Sequence, residues 1–549
     1  RNPISQERRE DTSVVLTGDQ QRISEAIAAG WRDGDFRPCL IRGVTGSGKT
    51  QVYMELMEQV IRGGKQVILL IPEIALTYQT VLRFYHRFGD GVSVLHSRLS
   101  MGERSDQFER AKKGEIQVMI GPRSALFTPF PNLGLIVMDE EHETSYQSET
   151  APCYHARETA IARGKLEHCP VLLGSATPSV DAYYRAKQGI YRLFEMEKRY
   201  ENRQMAAVTT VDLREELREG NRSILSRVLQ EKMADRLKKK EQIMLFLNRR
   251  GYAGFLSCRS CGTVIKCPHC DVSLSVHRHG RMVCHYCGYE TRQPQECPHC
   301  GSPYIGGFRA GTQQIEDLVK KSFPEARVLR MDLDTTRKKE SHSELLSAFA
   351  NQEADILIGT QMIVKGHDFP QVTLVGILAA DLSLNVSDYR AGERTFQLLT
   401  QAIGRAGRGE KPGEAVVQTY QPEHYSIQAA IRQDYPGFYE EEAEYRQLLS
   451  YPPMSNLFAI RGVSMDENLL GTGMEYIKRF LKKVDGAQRL QIIGPADEPV
   501  AKVADMYRKV LYVKQEDLEY LLKIKERLER YIEINSGFKN IRIQFDFNH

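Results

Sequence analysis

The stretch GVTGSGKT, residues 43–50, has the residue types and spacing to hold a phosphate chain. Gly43, Gly46 and Gly48 let the backbone curl without a Cβ clash, so that successive N–H groups of a loop that also holds Thr45 and Ser47 face one anion. Lys49 would reach the β- and γ-phosphates, and Thr50 would hold Mg²⁺. A second stretch, LIVMDEEH at 135–142, is an apolar run ending in acids. Asp139 suits a second Mg²⁺ ligand, Glu140 suits the polarising of an attacking water, and Glu141 and His142 complete the box. A third, QAIGRAGRGE at 401–410, places Arg405 and Arg408 on one face if it is helical. An arginine brought to a transferring phosphoryl group neutralises its charge. Each stretch alone has a plain alternative: a chance glycine-rich turn, an acidic strand end, a basic surface turn. Together they specify hydrolysis of a nucleoside triphosphate, with ATP and Mg²⁺ as the expected cofactors.

Metal chemistry is the second signal. Eight of the 11 cysteines fall as Cys-x-x-Cys pairs: Cys258/Cys261, Cys267/Cys270, Cys284/Cys287 and Cys297/Cys300. In a long chain otherwise poor in cysteine, this pattern favours metal over disulfides and a cytoplasmic location. Eight thiolates make two saturated Cys₄ sites, so two Zn²⁺ ions in a structural role are expected. A hairpin between the middle pairs brings the outer pairs side by side. This favours nesting: Cys267, Cys270, Cys284 and Cys287 on one ion, with Cys258, Cys261, Cys297 and Cys300 on the other. His269, His285 and His299 lie in or beside the pairs and stand as alternative ligands. The hairpin tip carries His277, Arg278, His279 and Arg281; a wedge at a duplex junction and a solvated basic turn are equally open.

These groups need rigid elements to position them. PCLIRG, QVILLIP, EIQVMIG, LGLIVMDE and CPVLLGSAT lack polar alternation and read as buried parallel strands of one α/β domain. QIMLFLN, ARVLRMD, ADILIGT, VTLVGILAAD and EAVVQTY repeat the pattern, with the cysteines inserted after the first of them. Beyond them a β-α-β-β-α-β order points to a ferredoxin-like α+β domain. The boundaries read as a linker over 1–15, a first lobe over 16–197, and a connector with the start of the second lobe over 198–254. A cysteine-rich insertion over 255–305, the rest of the second lobe over 306–424 and the α+β domain over 425–549 complete the division. The chain of 549 residues is 41% hydrophobic, enough for several cores, and 27% charged. Its formal net charge of +4 permits a nucleic-acid partner without demanding one. No apolar run reaches the length of a membrane span, and no secretion signal is read. The chain begins at Arg1 rather than Met, so a natural N-terminal region is expected to precede it.

The series GVTGSGKT, IPEIALT, GPRSALFTPF, DEEH, GSATPS, GTQMIVKGHDFP and QAIGRAGRG resembles the superfamily-two helicases. With FLNRRGYA and the eight cysteines, the chain is similar to their bacterial replication-restart branch over nearly its whole length. The resemblance implies two RecA-like lobes and the nested pairing of the cysteines. It implies that Gln20 reads adenine, that Ser175 and Thr177 link hydrolysis to lobe movement, and that Gly366 and Asp368 lie near the nucleotide. Arg408 is taken as the finger and Arg405 as its support, a division that stays open.

The implied activity is ATP-dependent 3′→5′ unwinding of stalled or branched forks, followed by primosome assembly. Implied partners are forked and single-stranded DNA, single-strand-binding protein, and primosome and helicase-loading proteins, with no membrane and a monomeric state. The loop at 144–160, with Tyr146, Tyr154, His155 and Arg157, is implied to stack on bases and report DNA to the hydrolytic site. Half-buried tyrosines in an ordinary loop are the alternative. Arg123 and Phe127 are further candidates, and Arg508 is one on the C-terminal domain, where a solvated strand edge is the alternative. The family also carries an N-terminal module for nascent 3′ ends and a winged helix, neither of which is read in these residues. NRQMAAVTTVDLR, at 202–214, departs from the family's more apolar lead. The rival to an enzyme is a DNA- and partner-binding scaffold that uses ATP only as a switch.

Overall fold

The first five apolar runs lie side by side in one parallel sheet. Its strands are β1 (Cys39–Gly43), β2 (Gln66–Leu70), β3 (Val92–Val94), β4 (Val118–Gly121), β5 (Leu133–Asp139), β6 (Val171–Ser175) and β7 (Arg192–Met196). Their order is β3-β4-β2-β5-β6-β1-β7. The two strands not read from the sequence, β3 and β7, are the edges, where one side of the ladder is unpaired and a continuous apolar run is not required. The computed structural model describes residues 15–73, 78–96, 99–148, 152–199, 205–247, 255–277, 280–306, 311–332, 341–364, 369–386, 388–409, 411–486 and 489–548. Gly366, Asp368, Arg278 and His279 lie outside them.

The chain forms two compact units. Unit 1 is Arg1–Ala206 with Val364–Pro370 and Gly407–Pro412; unit 2 is Ala207–Ile363, Gln371–Ala406 and Gly413–His549. In unit 1, helices Gly18–Arg32, Lys49–Arg62 and Tyr78–Phe88 pack on the sheet around Ile23, Ile41, Val52, Leu69 and Val137. The first of these begins with a capping box, Thr17 against Gln20, which satisfies backbone donors that a helix start leaves free. Because β5, β6 and β1 are parallel neighbours, Asp139, Ser175 and Gly43 all fall at carboxyl ends of strands on one edge of the sheet. Open α/β sheets bind ligands at that edge.

Unit 2 holds a second parallel sheet. It opens with β8 (Ala207–Asp212) and β9 (Gln242–Leu247). β8 lies in the segment read as a polar connector; among the described residues it pairs with one neighbour, so its outer edge tolerates polar residues. The cysteine module follows, as β10 (Ser257–Cys258), β11 (Ser275–Val276), β12 (Arg281–Val283), β13 (Glu290–Arg292) and β14 (Ile305–Gly306). β11, β12 and β13 form a meander, and β10 pairs with β14 to close the base. β15 (Val328–Met331), β16 (Ile356–Gly359), β17 (Val372–Leu378) and β18 (Glu414–Thr419) complete the sheet in the order β15-β16-β9-β17-β18-β8. Helices Tyr425–Arg432 and Tyr435–Leu448 pack back on helix Ala391–Ile403, with Phe396 stacked on Phe438 at 4.3 Å.

The C-terminal domain follows the expected order: β19 (Asn456–Ser464), a helix, β20 (Gln491–Val503), β21 (Met506–Gln515), a helix and β22 (Arg542–Phe547). Its antiparallel sheet runs β20-β21-β19-β22. Alternation along β19 sends Phe458 and Ile460 to the helices, while Leu457 joins the core of the cysteine module. Among the described residues, no helix is long and apolar enough to cross a membrane.

Candidate nucleotide site and metal centres

The phosphate loop leaves β1 and enters helix Lys49–Arg62, whose N-cap Gly48 has φ +83°. Gly46 shares that left-handed geometry at φ +82°, which a side chain would strain. A Cβ on Gly48 would also collide with the Gln20 amide. Gln20 is fully buried and donates to Ser47 O at 3.2 Å, so it braces the loop from beneath. Lys49 Nζ donates to Gly43 O at 2.8 Å, across the mouth of the loop. Ser47 Oγ is buried and has no hydrogen-bond partner among the described residues. A cradle closed to side chains, a buried hydroxyl and a lysine at its mouth fit a di- or triphosphate, and Thr50 and Asp139 are the residues that would hold Mg²⁺.

Asp139 ends β5. Tyr53, from the helix after the phosphate loop, donates to its Oδ1 at 3.2 Å. Only a glycine at 174 admits that ring, since a Cβ there would collide with the Tyr53 hydroxyl. Burial first, then the charge of Glu140, push the Asp139 carboxyl up to about 7, while Lys49 pulls it down. A bound divalent cation would hold it ionised. Glu140 has φ +49°, an uncommon conformation for a residue with a side chain. Strain of this kind is retained where function fixes the backbone. Its Oε2 lies 3.6 Å from His142 Nδ1. His142 Nδ1 lies 2.6 Å from Ser175 Oγ, which also accepts from Thr177 N at 3.0 Å. The acidic box is thus joined to the Ser175–Thr177 turn by direct hydrogen bonds.

The loop after the box is wired differently from the sequence reading. Tyr146 is not a stacking surface: it is 1% exposed and its hydroxyl donates to Asp139 O at 2.7 Å and Leu70 O at 3.0 Å. Arg157 is not a nucleic-acid contact either. It is 6% exposed and pairs with Glu141, Asp181 and Glu158. The sequence gives no sign of this, because a buried arginine is recognised only by its partners. Glu141 in turn accepts from Ser179 N at 3.0 Å and Ser179 Oγ at 2.6 Å. Burial would raise the Glu141 carboxyl, but the Arg157 charge and the bonds from Ser179 and Arg157 hold it below its usual range. Both ends of the loop are therefore fastened to the DEEH box, Tyr146 to Asp139 and Arg157 to Glu141.

Phe127 is exposed, and the half-buried Tyr154 meets it edge to face at 5.4 Å. Arg123 donates to Ser145 O at 3.1 Å and to Gln147 O, holding the loop's first turn. Arg157→Ala should leave the Glu141 carboxylate buried without its cation and cost unit 1 about 3–5 kcal/mol. Thermal or denaturant unfolding of the variant checks this, and an unchanged midpoint would contradict it.

Arg405 and Arg408 do not share a helical face. The helix ends at Ile403, Gly404 caps it, and Gly407 turns the chain at φ +67°. Arg405 belongs to unit 2, while Arg408 lies in the Gly407–Pro412 segment of unit 1. Arg508 is also tied down: with Arg461 it pairs with the buried carboxylate of Glu498, at 2.9 and 3.1 Å.

The eight cysteines gather as two groups, Cys258, Cys261, Cys297 and Cys300, and Cys267, Cys270, Cys284 and Cys287. Within each group the Sγ atoms all lie within 4.8 Å of one another. Sγ separations of 3.7 Å for Cys258–Cys300 and 3.6 Å for both Cys261–Cys297 and Cys267–Cys287 match a zinc tetrahedron. Zn–S bonds of about 2.3 Å give edges of about 3.8 Å. None of the three histidines belongs to either group, and His299 is exposed. His285 Nδ1 is 2.8 Å from Asp497 O and its Nε2 is 3.2 Å from His277 Nε2, while His269 packs edge-on against Tyr289. The inner group is held against the C-terminal domain by Tyr286, which stacks on Tyr512 at 4.9 Å. Tyr451 stacks on Tyr389 at 4.7 Å, under the Lys514 ammonium at 3.6 Å.

Comparison with known proteins agrees with this layout. Residues 17–185 match the DEAD/DEAH box helicase family, 307–410 the helicase conserved C-terminal domain, and 267–292 the PriA DNA helicase Cys-rich region. The chain is similar to the replication restart protein PriA of Bacillus subtilis, 47% identical over 97% of this chain and 66% of that protein. It is 40% identical to that of Chlamydia pneumoniae, over 97% of this chain and 71% of the relative. For Treponema pallidum the identity is 39%, over 92% of this chain and 76% of the relative. The chain thus spans roughly two thirds of the length of its Bacillus relative. Two parallel-sheet units, a phosphate loop facing an acidic strand end, and an eight-cysteine module inserted in the second sheet place this chain in the replication restart protein PriA family of helicases.

Proposed function

We propose that this chain is an ATP-dependent DNA helicase that moves 3′→5′, remodels stalled or branched replication forks and starts primosome assembly for replication restart. The observation that carries the reading is the joined set at one sheet edge. Lys49 lies over the phosphate loop, Asp139 is steered by Tyr53, and Glu140 lies beside His142 and Ser175. Such a site hydrolyses ATP with Mg²⁺, and its hydrogen bonds pass from the acidic box to the turn at Ser175 and to the loop bearing Tyr154.

In this account Gln20 reads adenine, Gly366 and Asp368 act near the nucleotide, and two Zn²⁺ ions fold the cysteine module. The lobes are 16–197 and, interrupted by the module at 255–305, 198–424, with the α+β domain at 425–549. Phe127 and Tyr154 offer a stacking surface that any base can use. Forked and single-stranded DNA, single-strand-binding protein and helicase-loading proteins are the proposed partners, the chain acting as a cytoplasmic monomer.

ATP turnover measured with forked DNA, duplex DNA, RNA and no nucleic acid tests the reading. Stimulation is expected to be largest with the fork. Tyr154→Ala should weaken it by about 1–3 kcal/mol of DNA binding, with turnover at saturating DNA retained. Equal turnover with and without nucleic acid would contradict the reading.

A further inference from the structure

Arg199 lies outside every motif that the sequence points to, three residues beyond the end of β7. β7 delivers it to the phosphate loop, for Val44 N donates to Met196 O at 3.0 Å just before it. The Arg199 stem then passes Gly46: a Cβ built there would lie 4.0 Å from Arg199 Cγ. Arg199 is 8% exposed, and its Nε and Nη2 are shielded from solvent. The charge of a second cation reaches it. Burial first, and then the charge of Arg408, lower the Arg199 guanidinium from its ordinary range. Both residues belong to unit 1.

Like charges repel, and the Arg199 side chain lies beside a loop whose N–H groups point at an anion. A polyphosphate held by that loop offsets the repulsion and accepts charge-assisted hydrogen bonds from a guanidinium. We propose that Arg199 is a phosphate-contacting residue of the nucleotide site, reaching the β- and γ-phosphates held over Gly46 alongside Arg408. This rests on the reading of the phosphate loop as an ATP site. It assigns to lobe one a positive group in addition to Lys49, in a segment that the sequence marks only as the approach to a connector.

The test compares Arg199→Ala, Arg199→Lys and Lys49→Ala in the full chain. Binding of adenylyl imidodiphosphate and of ADP is measured together with kcat and KM for ATP, DNA affinity and thermal midpoint. Arg199→Ala is expected to weaken the triphosphate analogue about tenfold or more and ADP less, with DNA affinity and midpoint unchanged. Arg199→Lys should recover part of the loss, since it restores charge without the planar fork. Analogue binding and KM within twofold of the parent would overturn the proposal. So would equal losses for analogue and ADP accompanied by a lower midpoint, which marks a packing role. If Lys49→Ala kept full turnover, the nucleotide-site reading itself would fall, a result separate from either.

Discussion

Arg408→Ala is expected to lower DNA-stimulated ATP turnover by roughly 10³–10⁵-fold, the range an arginine finger contributes. The loss should fall on kcat more than on KM, because the finger acts most strongly on the charge that develops as the phosphoryl group transfers. The placement of Arg408 supports this: it lies in the Gly407–Pro412 segment of the unit that holds the phosphate loop, where its charge reaches Arg199. Arg405 belongs to the other unit, directly after the cap of helix Ala391–Ile403. Arg405→Ala should cost less in kcat. Steady-state turnover at saturating ATP and DNA, with both single variants and the double, separates the two. A larger loss from Arg405→Ala would exchange their roles; less than tenfold from either would remove the finger from this segment.

Metal removal should have the second large effect. Two Zn²⁺ per chain are expected, released by a thiol-reactive mercurial and counted with a chelating dye. The module is built of strands of two or three residues, and its buried apolar residues, Leu256, Val272, Leu274 and Met282, cluster with the inner cysteines. Structural zinc supplies about 10–16 kcal/mol of apparent binding energy in small domains, so stripping it should unfold the module outright. The two sites should not be equal. Cys267, Cys270 and Cys284 are buried in a cluster with Tyr286, Tyr389 and Tyr451, so losing the inner ion uncovers a shared core of unit 2. Cys300 of the outer site is exposed. Cys284→Ser should therefore lower the midpoint of unit 2 more than Cys300→Ser. The phosphate loop belongs to unit 1, so affinity for an ATP analogue should be retained. One ion per chain, or equal effects of the two variants, would contradict this.

Much of this architecture was legible because it rests on strong local signals. Continuous apolar runs marked the central strands, and glycine spacing marked the phosphate loop. The four cysteine pairs could nest only if a hairpin joined the middle two, and β11 and β12 form that hairpin. What stayed hidden lies in pairings that no local pattern records. β8 reads as connector because an edge strand can stay polar. Tyr146 and Arg157 look like surface groups, yet they are buried against Asp139 O and Glu141. Tyr53 looks like ordinary helix core until its hydroxyl meets Asp139, and Arg199 acquires meaning only from its place beside Gly46. The helical reading of 401–408 failed because Gly404 and Gly407 end the helix before the arginines can align. Residue type gave the chemistry at each point, and the partner set the role.

Unwinding of a labelled fork by the zinc-loaded chain, beside its Lys49→Ala variant, tests the central claim most directly. The account predicts ATP-dependent strand separation when a 3′ single-stranded tail is offered, none with a 5′ tail, and none with Lys49→Ala although that variant still binds the fork. Unwinding that persists in Lys49→Ala or without ATP, or a parent chain that binds forks and never turns over ATP, would contradict it.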